Sequence, residues 1–161
     1  MKKSGFSLVE VLVAVILVGL AIASLVAASS SFTRTNATGL NLSTAEFLTE
    51  QIKELTALLP VIDPNTGTEL PFGPEEATLA DYDDLDDFDG ASFSPPINAD
   101  REALNDCAAF TQQVTVENVN AADFEQVDID HASNFVRVTV KVSLNAREIN
   151  STSWLRANLD N

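Results

Sequence analysis

Hydrophobic and polar positions divide the chain into stretches with different periods. From 11 to 28 no residue is charged, and the polar ones are Gly19 and Ser24 at most. Eighteen helical residues reach about 27 Å, close to one hydrocarbon core. From 29 to 44 the composition turns to Ser, Thr and Asn, where helix propensity is weak, and Gly39 is a candidate bend. Leu48, Ile52, Leu55 and Leu59 then fall at i, i+4, i+7 and i+11, one stripe of an amphipathic helix that reads as core packing. Pro60 disfavours helical geometry at Leu59, so the helix should end near Leu58. With no proline before Pro60, one helix of about 53 residues and about 80 Å is expected, apolar all round in its first half.

The last third changes to period two. Val136, Val138, Val140, Val142 and Leu144 alternate with Arg137, Thr139, Lys141, Ser143 and Asn145, a strand with one buried face. Val114 and Val116 among Gln113, Thr115 and Glu117 give a second strand. Val127 and Ile129, between Asp128 and Asp130, suggest a short third. Asn145-Ala146-Arg147 reads as a turn into a strand over 148–156. Short connections favour antiparallel pairing. Such a sheet needs a cover on one face, and the helical stripe supplies it. The fold class is α+β: a long amino-terminal helix whose later half packs on a carboxyl-terminal antiparallel sheet.

Between helix and sheet the chain reads as a loop-rich insert. It holds Pro60, Pro64, Pro71, Pro74, Pro95 and Pro96, with turn signals at Asn65-Thr-Gly67 and Asp89-Gly90. No regular strand is readable there. Helical or 3₁₀ turns fit around 75–87.

Charge narrows the function classes. Net charge is −15 and the pI about 4.1, which excludes an ordinary electrostatic nucleic-acid binder. It also argues against docking of the polar part on anionic lipid heads. Cys107 is the lone cysteine, so no intramolecular disulfide can form; a small buried apolar role is expected for it. Lys2 and Lys3 precede the apolar stretch and set its amino end on the cytoplasmic side.

Glu10 is the unusual residue of the apolar segment. A carboxylate at the centre of a bilayer costs roughly 2.5–3.5 kcal/mol or more, so it marks function by default. The block Lys2-Lys3-Ser4-Gly5-Phe6-Ser7-Leu8-Val9-Glu10 resembles the amino-terminal signal of type IV prepilins and type II secretion pseudopilins. The resemblance covers about residues 2–28. It implies cleavage between Gly5 and Phe6 by a prepilin peptidase and methylation of the new Phe6 amine. It also implies that Glu10 meets the Phe6 amine of a neighbouring subunit in a filament. The alternatives are a secretory signal peptide cut near Ala27-Ala28-Ser29, or a plain single-pass anchor; an early glutamate is unfavourable for the first. On the pilin reading, 1–5 is a leader, 6–28 the transmembrane and filament-core helix and 29–59 its amphipathic continuation. An acidic insert at 60–109 and a sheet at 110–161 follow. The chain lacks the carboxyl-terminal disulfide loop of many pilins.

The run from Asp81 to Asp89, just before Gly90, has six aspartates in nine positions, with Tyr82, Leu85 and Phe88 recurring every three residues. The apolar residues would anchor a turn and leave the carboxylates outward. Ca²⁺ takes six to eight oxygens, which makes Asp81, Asp83, Asp84, Asp86, Asp87 and Asp89 candidate ligands. The EF-hand pattern fails: with Asp87 and Asp89 at loop positions 3 and 5, position 1 is Leu85 and the bidentate position is Pro96. The alternatives are a solvated acidic loop or a patch for a cationic partner. The run also resembles the aspartate-aromatic stretch of minor pilins of the mannose-sensitive haemagglutinin type, the D subunit.

Catalysis has little support. His131 is the lone histidine and reads as a turn residue; no nucleophile elbow or Gly-rich phosphate loop is present. One His and one Cys make a poor zinc set. Trp154 reads as core or interface packing. The expectation is a non-enzymatic structural subunit, a minor pilin or pseudopilin. It would wait in the inner membrane with its acidic domain in the periplasm and then enter a pilus or pseudopilus beside other pilin subunits. The alternative from another class is a membrane-anchored calcium-binding or adhesive domain that never enters a filament.

Overall fold

The computed structural model describes residue 5, residues 7–63 and residues 71–158. Lys2, Lys3, Phe6, Pro64 and Asn65 to Gly67, all singled out above, lie outside them. The chain divides into two compact units, Met1–Leu40 and Asn41–Asn161.

In the first unit the described chain is helix α1 (Leu8–Thr56) as far as Leu40. Every described residue up to Leu40 is exposed, and the helix holds an 18-residue window of mean hydropathy 2.9 with none of it buried. That window is long and apolar enough to cross a membrane. The helix continues through the Ser/Thr-rich stretch and Gly39 without a break. Hydroxyls there return to the carbonyl four residues back: Thr33 to Ser29, Thr35 to Ser31 and Thr38 to Arg34, each at 3.0 Å. Polar side chains that satisfy themselves on the helix do not need to leave it.

In the second unit the end of α1 lies against an antiparallel sheet. The expected stripe is the buried face: Ala45, Leu48 and Ile52 are fully buried, and Leu55 and Leu59 pack partly buried against the same core. The helix ends at Thr56, two residues before the expected Leu58. The amide of Ala57 turns back to the Glu54 carbonyl at 3.2 Å, and that of Leu59 to Thr56 at 3.4 Å. Arg156 then donates to the Thr56 and Leu59 carbonyls, both at 2.8 Å, and satisfies acceptors that the finished helix leaves open.

The strands are β1 (Ser92–Phe93), β2 (Phe110–Asn120), β3 (Asp123–Val127), β4 (Phe135–Leu144) and β5 (Arg147–Ala157). The order is β1-β2-β4-β5, with β3 also paired to β2, and all pairs are antiparallel. Val136, Val138, Val140 and Val142 all face the core from β4, as their alternation requires. Asn145 and Ala146 turn β4 into β5 with φ of 49° and 66°, the signs of the primed turn that matches strand twist.

Two strand expectations are corrected. The insert does carry a strand, β1, too short at two residues to show a period. The third strand runs over Asp123–Val127 rather than 127–129. It follows β2 through a tight hairpin, Asn120 facing Asp123, and Ile129 beyond it is exposed. β3 buries nothing, so no apolar alternation announces it.

Buried polar groups tie helix, insert and sheet. Gln112, fully buried on β2, donates to the Leu48 carbonyl at 2.8 Å and accepts from the Ile97 amide at 2.8 Å. Asn118 on β2 donates to Ser133 and Phe135 carbonyls at 2.9 and 3.1 Å and accepts from the Ser133 amide at 2.8 Å. Each of these side chains is satisfied, as a buried amide must be. Cys107 is half-buried against the core rather than fully inside it, and Trp154 is likewise half-buried there.

Candidate functional site

The acidic run does not stay outside. Leu85 and Phe88 are fully buried, Tyr82 meets Phe88 edge-to-face at 5.2 Å, and the Leu85 amide donates to the Pro60 carbonyl at 2.9 Å. These anchors pull the chain between them inward. Asp84, Asp86 and Asp87 are 0, 2 and 0 % exposed, which corrects the expectation that the carboxylates point outward. Asp86–Phe88 forms a 3₁₀ turn. Asp87 accepts the amides of Asp83 and Asp84 at 3.0 and 3.4 Å, and Asp84 accepts the Asp87 amide at 3.1 Å.

Those bonds use one oxygen of Asp84 and one of Asp87. The others, Asp84 Oδ2 and Asp87 Oδ1, are buried without a donor, as are Asp86 Oδ1, Glu75 Oε2 and Glu76 Oε2. Carboxylate oxygens gather within 4.8 Å of one another in three overlapping groups. Asp63, Asp83 and Asp84 make one; Glu75, Glu76 and Asp87 the next; Glu75, Asp84 and Asp86 the third. Among the described residues the ion pairs are Lys53–Glu50 and Arg137–Glu117, neither of which touches these oxygens. The guanidinium of Arg101 donates instead to the Leu79 and Ala80 carbonyls at 3.1 and 2.7 Å and to that of Tyr82.

Carboxylates packed this way resist ionisation. Burial, then a proton shared with Asp84, pushes Asp86 up to about 9. A hydrogen bond with Asp87, then burial, pushes Glu76 up to about 7. Burial also raises Glu75 and Asp84. The cluster can hold protons, or it can hold a hard cation.

Not all six candidate aspartates join it. Asp83, Asp84, Asp86 and Asp87 do. Asp81 is exposed and accepts from the Thr78 hydroxyl at 2.7 Å; Asp89 accepts the Val116 amide of β2 at 2.8 Å and serves the sheet. His131 sits in a turn at φ 62° with its ring edge-to-face with Phe72 at 4.9 Å.

At the amino end Gly5 is exposed and Phe6 lies outside the described residues. Ser7 immediately precedes α1, and Glu10 is its third residue. The Glu10 amide donates to Ser7 Oγ at 3.2 Å, and the Ser7 amide donates to Glu10 Oε2 at a long 3.5 Å. This reciprocal pair is a capping box. It also sets the carboxylate in the first turn, where the helix dipole favours negative charge.

Residues 1–29 match the family of the prokaryotic N-terminal methylation motif. This chain carries a prepilin-type methylation motif. No curated protein and no solved structure matches the chain. The methylation motif implies a pilin- or pseudopilin-like subunit processed by prepilin peptidase, a family whose members are typically structural rather than enzymatic. The exposed apolar helix that begins within the matched residues suits anchoring in the inner membrane before assembly.

Sequence reasoning reached the methylation motif and four cluster aspartates but missed Ser7, Asp63, Glu75 and Glu76. For Ser7 the signal was present as Ser-x-x-Glu. For Glu75 and Glu76 nothing in the local pattern shows that a Pro-rich segment folds back on the aspartates.

Proposed function

We propose that this chain is a structural subunit, a minor pilin or pseudopilin, of a type IV pilus or type II secretion filament. The observation that carries the reading is a methylation motif on a helix whose 18-residue apolar window buries nothing within the chain. A helix apolar on all sides needs lipid around it, or other helices. On this reading Lys2 and Lys3 hold the amino end in the cytoplasm and the acidic unit lies in the periplasm. Prepilin peptidase cuts after Gly5, and the freed Phe6 amine is methylated and stays cationic. Lifted into a filament, Glu10 pairs with the Phe6 amine of a neighbouring subunit. A buried charge deprived of its partner costs about 3–5 kcal/mol, so the pair disfavours other registers. The absence of a disulfide loop and the acidic insert favour a minor role. The finer affiliation with the D subunit of mannose-sensitive haemagglutinin pili rests on the 81–90 stretch alone.

Two measurements test the reading. Gly5→Leu is expected to leave the leader attached, seen as an unchanged intact mass beside a processed wild type. With Cys107→Ser as background, a cysteine at Ala14 is expected to crosslink to other pilin subunits in cells. A chain that is processed yet crosslinks to none is an anchored domain, and the filament reading then fails.

A further inference from the structure

The buried carboxylates of the insert have a use that filament assembly does not require. We propose that Asp84, Asp86 and Asp87, with Glu75, Glu76 and Asp63, form a calcium site that staples the start of the insert to the 3₁₀ turn at Asp86–Phe88. An acidic run alone would not carry this. The second observation is burial without an N–H or basic donor: Asp84, Asp86 and Asp87 are at least 98 % buried, each belongs to one of the three groups, and each keeps an oxygen that no such donor meets. Leaving such oxygens unmatched is expensive in a low-dielectric setting. No lysine or arginine among the described residues reaches them.

The donor set selects the ion. The three groups contain only carboxylate oxygen, with no imidazole or thiol, which disfavours zinc and copper. They overlap through Glu75 and Asp84, so the three groups adjoin one another and draw carboxylates from separate parts of the insert. Calcium accepts six to eight oxygens in flexible geometry. Magnesium demands a near-ideal octahedron and keeps its waters, with one or two carboxylates. Burial also disposes of a docking patch for a cationic protein, since a partner cannot reach side chains that are closed over. The ion joins Asp63, just beyond the helix, and Glu75–Glu76 to the turn that Leu85 and Phe88 already anchor. The inference is independent of filament assembly, and an anchored domain would carry the same site.

The test uses the full chain, stripped with chelator, in nanodiscs of zwitterionic lipid. Calorimetry with Ca²⁺ is expected to show saturable binding with a dissociation constant at or below about 10⁻³ M, and Mg²⁺ should compete poorly. Asp87→Asn should weaken binding by about tenfold or more, since ligand charge sets affinity. Glu76→Gln, at a less buried position, should weaken it in the same direction without threatening the fold. Asp81→Asn should leave it unchanged. Tyr82 is the sole tyrosine and lies beside the cluster, so Tb³⁺ should show tyrosine-sensitised emission that Tyr82→Phe removes. A chain that keeps its circular dichroism and melting transition but shows no saturable binding overturns the site. So does binding untouched by both Asp87→Asn and Glu76→Gln, or sensitised emission that survives Tyr82→Phe in full.

Discussion

The two units of the chain place carboxylates beside apolar surroundings and resolve the conflict differently. In the first, Glu10 is one charge on an exposed helix, with a serine cap as its local partner and an apolar surface left uncovered. In the second, several acids are drawn inside by Leu85 and Phe88, and the fold itself covers them. The first arrangement is incomplete without something outside the chain, as a subunit's contact surface should be. The second is closed to macromolecules and open only to protons or small ions. Net charge, which counts all these carboxylates alike, hides the difference.

Removing Glu10 should have the larger consequence. Glu10→Leu leaves Gly5 and the cleavage point intact, so the processed mass should match wild type. Beside wild-type subunits, however, the variant should be almost absent from sheared filaments. Loss of a buried partner charge is worth about 3–5 kcal/mol, more than two decades in incorporation. Equal incorporation of variant and wild type would show that the first unit needs only its apolar surface, and the contrast with the second unit would collapse.

The next measurement addresses the buried acids. In the chelated protein, folded Asp86 holds its proton to about 9 and Glu76 to about 7, against ordinary values of 3.8 and 4.5. Between those limits the folded state binds more protons than the unfolded one, so stability falls as pH rises. The contribution is intact below about pH 4 and lost progressively toward about pH 9. Melting temperature without Ca²⁺ should therefore drop by more than about 4 °C from pH 5 to pH 9, a shift that corresponds to roughly 1 kcal/mol in a domain of this size. Calcium should flatten the slope by taking the place of the protons. A flat profile in chelator would mean that the acids ionise freely and that burial does not set them apart from Glu10.

The same contrast explains what could be read in advance. Periodicity gave away the elements that bury one face: the Leu48–Ile52 stripe and the valines of β4 alternate because the core demands it. The extent of α1 was legible up to its last turn, which closes early on 3₁₀-type bonds. β1 and β3 were not legible, since a two-residue strand has no period and a fully exposed one has no apolar face. The candidate site split along similar lines. Glu10 stands out because charge is rare in an apolar run. Asp84, Asp86 and Asp87 stand among other acids, and a charge run normally reads as solvated surface. Their burial depends on tertiary contacts, the Leu85 amide on Pro60 and the return of Glu75–Glu76, that no local window contains.

The smallest expected effect separates the Ser7 cap of Glu10 from the Phe6 amine proposed as its partner. Ser7→Ala removes the side-chain half of the capping box and should cost about 0.5–2 kcal/mol of local helix stability. Faster amide exchange over residues 8–11 in nanodiscs would report it. The Glu10 carboxylate survives in this variant, and with it the charge that a neighbouring Phe6 amine needs. Filament incorporation should then stay within about twofold of wild type, because a frayed first turn can re-form once packed among other helices. If Ser7→Ala instead loses incorporation as fully as Glu10→Leu, the glutamate acts by shaping the start of its own helix. The first unit would then resolve its charge internally, as the second does.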